Sequence, residues 1–211
     1  MFSFALPLAL LGSATLVLSF PSSPVFPRDG PSLSHAPNFK LTAHVTGTDL
    51  NPSIEGWVLS GSHIMPCYSW VILEDPTNSP GRIFYENGTA EEIRYNAGAV
   101  LSDGGSPPWP WSFIVPDEEN EDHGRGVQVN CGAPTKGVYL PQFPDQDPVL
   151  RYGGGRFYAC DADILYGPRV TLFYRDAEAE TPSGCAEIDL VPHCVMDGAQ
   201  HNFTVPAPCF A

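Results

Sequence analysis

Hydrophobic and polar residues alternate along much of this chain. Phe39, Leu41, Ala43 and Val45 alternate with Lys40, Thr42, His44 and Thr46, a period of two that turns one set into a core and the other to solvent. Tyr68, Trp70 and Ile72 begin a second such run, with Val71 and Leu73 on its other face. Val170, Leu172 and Tyr174 form a third, and Ala186, Ile188 and Leu190 a fourth. Shorter β-prone runs lie at 56–59, 82–85, 112–115, 127–129, 137–140 and 156–159, with Pro and Gly clusters between them. Strands at this spacing predict an all-β fold, an antiparallel sandwich or barrel. No window holds apolar residues at helical spacing without an internal Gly or Pro. With 23 prolines and 20 glycines, one or two short helical turns are the most to expect.

Two hairpins are legible. Arg82 to Tyr95 carries Asn87-Gly88 at its centre, and Asn-Gly suits the type I′ turn that right-twisted strands require. Arg156–Cys160 and Arg169–Arg175 form the second, joined by Asp161 to Pro168. Gly153-Gly154-Gly155 precedes a strand and not a helix, so it reads as a turn or bulge rather than a phosphate cradle.

The N-terminus stands apart from this pattern. Phe2 to Leu18 is apolar and uncharged, and the first charged residue is Arg28. Such a stretch followed by small residues predicts a secretory signal peptide over residues 1–19, cleaved near Val17-Leu18-Ser19. Pro7 and Gly12 interrupt the run, and a membrane span needs about 20 continuous apolar residues. The expected organisation is a leader (1–19), a Pro/Ser-rich linker (20–37), one β domain (38–194) and a C-terminal tail (195–211). The protein is expected to be secreted, extracellular or wall-associated, with no membrane anchor.

Six cysteines remain after the leader: Cys67, Cys131, Cys160, Cys185, Cys194 and Cys209. An even number in an exported chain reads as a disulfide framework with fifteen possible pairings. No C-x-x-C or H-x₃₋₅-H spacing occurs, so a structural zinc site is not expected. Neither a metal nor a cofactor is expected.

The net charge of −14 excludes a nucleic-acid surface, whose phosphates demand cations, and disfavours anionic membranes. The run Asp117-Glu118-Glu119-Asn120-Glu121-Asp122 lacks the alternation of a Ca²⁺ loop and reads as a solvated connection.

Catalytic motifs are not found. There is no G-x-S-x-G elbow. His63, Met65 and Cys67 are copper-ligand types, but a blue-copper site needs a second His and places its Cys first. Glu91-Glu92, Asp161 with Asp163, and Glu187 with Asp189 each offer a carboxylate pair of the kind used in glycoside hydrolysis. Such pairs arise readily in an acidic protein, and surface charge is the expected role of each. No catalytic residue is therefore assigned. Trp57 and Trp70 fall in strand patterns and are expected in the core, and Trp111 opens a buried strand. Trp109, in the stiff stretch Pro107-Pro108-Trp109-Pro110-Trp111, is the candidate carbohydrate-binding residue, because a flat exposed ring stacks on sugar faces. Asn87-Gly88-Thr89 and Asn202-Phe203-Thr204 are N-glycosylation sequons, whereas Pro52 excludes Asn51. A glycan is expected on Asn87, at the tip of its hairpin.

Several segments carry a family likeness: Phe39–Val45, Asp49–Trp57, Gly81–Thr89, Asp103-Gly-Gly105, Phe157-Tyr-Ala-Cys160, Leu172-Phe-Tyr-Arg175 and Thr181–Ala186 through Cys194. Together they resemble a secreted domain family of ascomycete fungi that has no established function. That family is distantly similar to phialide-type fungal cell-wall proteins. The resemblance spans Phe39 to Cys194 and transfers no functional residue. The tail beyond it, with Cys209 and the second sequon, looks like an addition. The expected function is that of a non-enzymatic protein of the fungal wall or extracellular matrix with weak affinity for wall polysaccharide. The alternatives are a polysaccharide hydrolase with an unrecognised carboxylate pair and an effector aimed at a host or competitor.

Overall fold

The structure, a computed structural model, describes residues 32–104, 109–142 and 147–211; the leader and its cleavage site lie outside them. The strands in chain order are β1 (Leu33–Ala36), β2 (Asn38–Val45), β3 (Val58–Met65), β4 (Tyr68–Glu74), β5 (Phe84–Asn87), β6 (Ala99–Gly104), β7 (Trp109–Ile114), β8 (Arg125–Gly126), β9 (Gln128–Asn130), β10 (Val138–Tyr139), β11 (Arg151–Tyr152), β12 (Arg156–Ile164), β13 (Gly167–Arg175), β14 (Ala186–Val195) and β15 (Ala207–Phe210). One short helix, α1 (Ala90–Arg94), lies between β5 and β6.

The fold is all-β, as the alternation predicts. Pairing runs from β14 to β2, β5, β6, β7, β9, β4, β13 and β12, and from β12 back to β14, so one large sheet nearly closes on itself. β3 joins β2 to β4, and β10 with β11 forms a separate two-stranded ribbon. The pairings are antiparallel apart from a single β14–β15 contact. Inside, aromatic rings follow one another: Phe39 and Phe84 at 6.3 Å, Phe84 and Phe113 at 6.1 Å, Phe113 and Phe157 at 6.2 Å, Phe157 and Tyr174 at 5.3 Å. The first pair is stacked and the other three meet edge to face, arrangements that gain energy beyond their buried area. Leu41, Leu59, Leu73, Leu172, Ile188 and Leu190 fill the space around them.

All six cysteines are bridged, as Cys67–Cys131, Cys160–Cys185 and Cys194–Cys209. Each bridge closes a loop of the unfolded chain, and the first closes the longest, at a sequence separation of 64 residues. In the chain-entropy account it therefore contributes most, on the order of 4 kcal/mol.

Three expectations need correction. First, β5 and β6 do pair as a hairpin, with Asn87 opposite Ala99, but Asn87-Gly88 is not its turn. Asn87 ends β5, and the connection carries α1. Thr89 caps that helix: its hydroxyl accepts from the Glu92 N–H at 3.1 Å while the Glu92 carboxylate accepts from the Thr89 N–H at 2.9 Å. This capping box satisfies two otherwise orphaned donors, and it wins over the local turn preference of Asn-Gly.

Second, the Pro/Ser-rich stretch and the tail each supply a strand. Leu33 to Ala36 pairs with Phe210 to Ala207, and the Cys194–Cys209 bridge ties β15 to β14. Third, the β12–β13 hairpin is longer than expected. Its strands pair out to Ile164 opposite Gly167, leaving Leu165-Tyr166 as a two-residue loop.

Among the three glycines of 153–155, Gly155 has a steric reason. A Cβ there would overlap the Arg175 carbonyl and the Tyr174 ring. The Gly155 N–H instead donates to the Tyr174 hydroxyl at 3.1 Å, which itself donates to the Tyr152 carbonyl at 2.8 Å.

Candidate functional site

One site that carries exposed aromatic surface is built at the start of β7. Within β7 only Ser112 to Ile114 pair with β9, so among the described residues Trp109 and Pro110 have no strand partner on that side. That edge is where a proline is tolerated, since no ladder bond is lost. On the other side, β6 places Gly104 opposite Trp109. Glycine offers no side chain to cover the indole, and Trp109 is 59% exposed.

Trp111 lies two residues along, on the same face, and is half-buried. The Arg82 guanidinium sits 5.2 Å from its ring centroid and the His63 ring 6.3 Å away. Arg82 Nε donates to the Ser102 hydroxyl at 2.6 Å, Ser102 donates on to the Ile83 carbonyl at 2.6 Å, and a second Arg82 nitrogen donates to the Asp103 carbonyl at 3.2 Å. Two glycines make room for this wedge. A Cβ on Gly61 would stand 3.0 Å from the guanidinium, and one on Gly104 would stand 2.9 Å from the Trp111 indole nitrogen. Burial pulls the Arg82 pKa down from its ordinary value, with the Asp103 charge acting in the opposite sense. Among the described residues Arg82 has no carboxylate ion pair, so its charge rests on the Trp111 face and on neutral oxygens. This arrangement fixes the strand on which Trp109 stands.

The carboxylate pairs meet different fates. Glu92 is consumed by the α1 cap and by Lys136 at 3.0 Å, while Glu91 faces solvent. Glu187 pairs with Arg175 and accepts from the Thr181 hydroxyl at 3.0 Å; Asp189 lies 3.5 Å from Arg156. Asp161 and Asp163 both face solvent on β12.

Glu187 and Asp161 line an open cleft of about 820 Å³ between loop 47–51 and loop 176–184. Arg175 spends its donors on holding that second loop: on Thr181, on the carbonyls of Asp176 and Ala179, and on Glu187. Burial raises the Glu187 pKa, but its bonds to Arg175 and Thr181 outweigh this and leave the pKa below the ordinary carboxylate range. A carboxylate held charged by an arginine is a poor general acid. Asp49, also on the cleft wall, is likewise lowered, first by Ser53 and then by the N–H groups of Ile54 and Leu50, with burial opposing.

One carboxylate escaped the sequence reading. Glu86, on β5, is 2% exposed. It accepts from the Leu140 N–H at 2.8 Å and from the Gln142 amide at 3.4 Å. Burial pushes its pKa up to about 7, with the Leu140 N–H opposing. It falls two residues from the fully buried Phe84, on the same face of β5, and that spacing is the signal that could have flagged it.

Among the described residues, the cysteines of two candidate ligand groups are taken up by disulfides. Cys67 is bridged and unavailable as a copper ligand beside His63 and Met65. His123 approaches Cys160 and Cys185 closely enough to share an ion, but both sulfurs are locked in their disulfide. The acidic run is a solvated loop, pinned where Asn120 exchanges bonds with Gly126 at 2.7 and 3.2 Å. No helix among the described residues is long and apolar enough to cross a membrane.

Of the other tryptophans, Trp70 is buried and Trp57 half-buried against the core. The two sequons, distant in sequence, come together: the Asn87 amide lies against the Asn202 and Phe203 carbonyls.

These features define a disulfide-stapled, nearly closed β protein with an exposed tryptophan braced on a rigid strand. The chain belongs to the family described as Domain of unknown function (DUF7907), whose model matches residues 36–194. It is also similar to the antigenic protein SchS34 of Stachybotrys chartarum, with 30% identity over 200 residues covering 85% of this chain and 88% of that protein. No solved structure matches it. The family match ends at residue 194, the cysteine that pairs with Cys209 beyond it.

Proposed function

We propose that this protein is secreted, is not an enzyme, and binds a polysaccharide of the fungal wall or extracellular matrix weakly through the face carrying Trp109. The observation that carries the reading is Trp109 itself, 59% exposed on a strand anchored by the Arg82–Trp111 wedge. Stacking a sugar on a ring already fixed by its strand incurs little ordering entropy, so such a surface gains affinity without a deep pocket. Export is supported by the apolar leader and by three disulfides, which persist in oxidising compartments. The likeness to phialide-type wall proteins and the printed name of the Stachybotrys relative, an antigenic protein, both suit a protein displayed outside the cell.

With a net charge of −14, the preferred polymers are neutral glucans, with partly cationic chitosan bound in a salt-sensitive way. The test is co-sedimentation of the native protein with insoluble glucan, chitin and chitosan, alongside a reducing-sugar assay. Retention on one of these without sugar release is expected. Failure to be retained on any of them counts against the reading.

The rival is a hydrolase working in the cleft that Asp161 and Glu187 share. Steady sugar release, abolished by Asp161→Asn or Glu187→Gln, would establish it in place of the binding reading.

A further inference from the structure

The C-terminal segment from 195 to 208, closed into a loop by Cys194–Cys209, lies as a strap across the β5–α1 junction. Its contacts are specific. The His201 ring stacks on Tyr85 at 3.7 Å and 10°, and its Nε2 lies 3.2 Å from Asp103 Oδ2. The Gly88 N–H donates to the Phe203 carbonyl at 2.8 Å, and Thr204 bridges to Asn87. The Asn38 amide holds the Ala199 carbonyl at 3.2 Å. The Asn87 side-chain nitrogen is at the centre of the contact, 3.3 Å from the Asn202 carbonyl and 3.3 Å from that of Phe203.

That nitrogen is the atom a glycan would use. N-glycosylation joins the amide nitrogen to C1 of a sugar: the C1–O bond to a lipid-linked pyrophosphate breaks, the lipid pyrophosphate leaves with its electron pair, and the nitrogen gives up one proton to solvent as the N–C1 bond forms. Asn87 is half-buried, with its amide facing two strap carbonyls, so a sugar there must occupy the space in which the strap runs. Asn202 is different. It is exposed in a turn beside Phe203, which has φ of +60° and 75% exposure, and the Thr204 hydroxyl closes the turn by donating to the His201 carbonyl at 3.2 Å. With the residue exposed, its amide has room for a large substituent.

We propose that Asn202 is the glycan-bearing position of the folded protein, and that a sugar on Asn87 and a docked strap exclude one another. The strap covers one acceptor and presents the other. This revises the expectation that Asn87, as a hairpin tip, bears the glycan. It rests on the export part of the function proposed above and is independent of polysaccharide binding.

The test uses the full chain behind a cleavable host leader, so that entry into the secretory lumen does not depend on its own. Glycopeptide mapping reads occupancy at each sequon, and limited proteolysis within the strap is read on each glycoform. Asn202 occupied, Asn87 bare, and a single glycan lost in Asn202→Gln is the expected pattern. Any minor form carrying sugar on Asn87 should be cut in the strap many times faster than the main form. Asn202 found bare overturns the proposal, and so does a form glycosylated at Asn87 whose strap resists protease as well as the unmodified protein.

Discussion

The cleft around Arg175 and the face around Trp109 invite opposite readings. The cleft is large and lined with carboxylates, the usual look of an active site, yet its central charges answer one another. Arg175 is shared among Glu187, Thr181 and the carbonyls of its own loop, so its role is to hold a turn in shape. The Trp109 face is built around an exposed indole at the start of β7. Its half-buried cation, Arg82, is bonded to neutral oxygens and spread over Trp111, and the Trp109 ring is open to solvent. Concavity alone therefore does not identify a site. What matters is whether the groups lining it have partners left to find.

Breaking the cleft should cost stability and leave binding intact. Arg175→Ala strands Glu187 and frees the loop from 176 to 184, a loss on the order of 2–3 kcal/mol, between the values typical of exposed and buried pairs. Denaturant unfolding measures it. Arg175→Lys should recover little, because an ammonium cannot reproduce the fork. Polysaccharide retention by Arg175→Ala, measured below its melting temperature, should match that of the unaltered protein; its loss would move the site to the cleft.

Glu86 offers a contrast of a second kind, a buried carboxylate with hydrogen bonds but, among the described residues, no ion pair. Its pKa rises on folding to about 7, so the folded state holds its proton more tightly than the unfolded chain. Stability from this group is full below the ordinary carboxylate pKa and is lost as pH climbs through about 7. The loss amounts to about 3 kcal/mol and levels off above that pH. Glu86→Gln should flatten this part of the pH–stability curve and be the more stable protein at pH 8. An unchanged curve would mean that Glu86 is not the group responsible.

A smaller effect tests the correction at the β5–β6 connection. Thr89→Ala removes the α1 cap and should cost about 1 kcal/mol, whereas a simple Asn-Gly hairpin would lose almost nothing at that position. Thermal melts of the two proteins at equal concentration distinguish the cases.

What could be read from the chain follows the reach of the forces involved. β2, β4, β13 and β14 are long enough for alternation to declare them, and an even cysteine count behind an apolar leader foretold the bridges. β1 and β15 carry no pattern of their own. They exist because Leu33 meets Phe210 across nearly the whole chain, a contact no local window contains. α1 was legible in principle, since Thr89 and Glu92 stand at capping-box spacing, but the Asn-Gly pair ahead of them gave the louder signal. The same limit applies to the site. Trp109 stood out among its prolines, while the wedge behind it joins Arg82, Trp111, Gly61 and Gly104 from four separate strands or loops.

The smallest effect on stability belongs to the residue on which the functional reading depends. Trp109→Ala removes a mostly exposed ring and should change stability by no more than about 0.5 kcal/mol. The direct measurement is a binding isotherm on whichever wall polysaccharide retains the protein, run with the native chain, Trp109→Tyr and Trp109→Ala. Stacking through Trp109 requires that Tyr keep most of the affinity and that Ala weaken it about tenfold, or ~1.4 kcal/mol, with melting temperatures unchanged. An Ala variant that binds as tightly as the native protein would contradict the account.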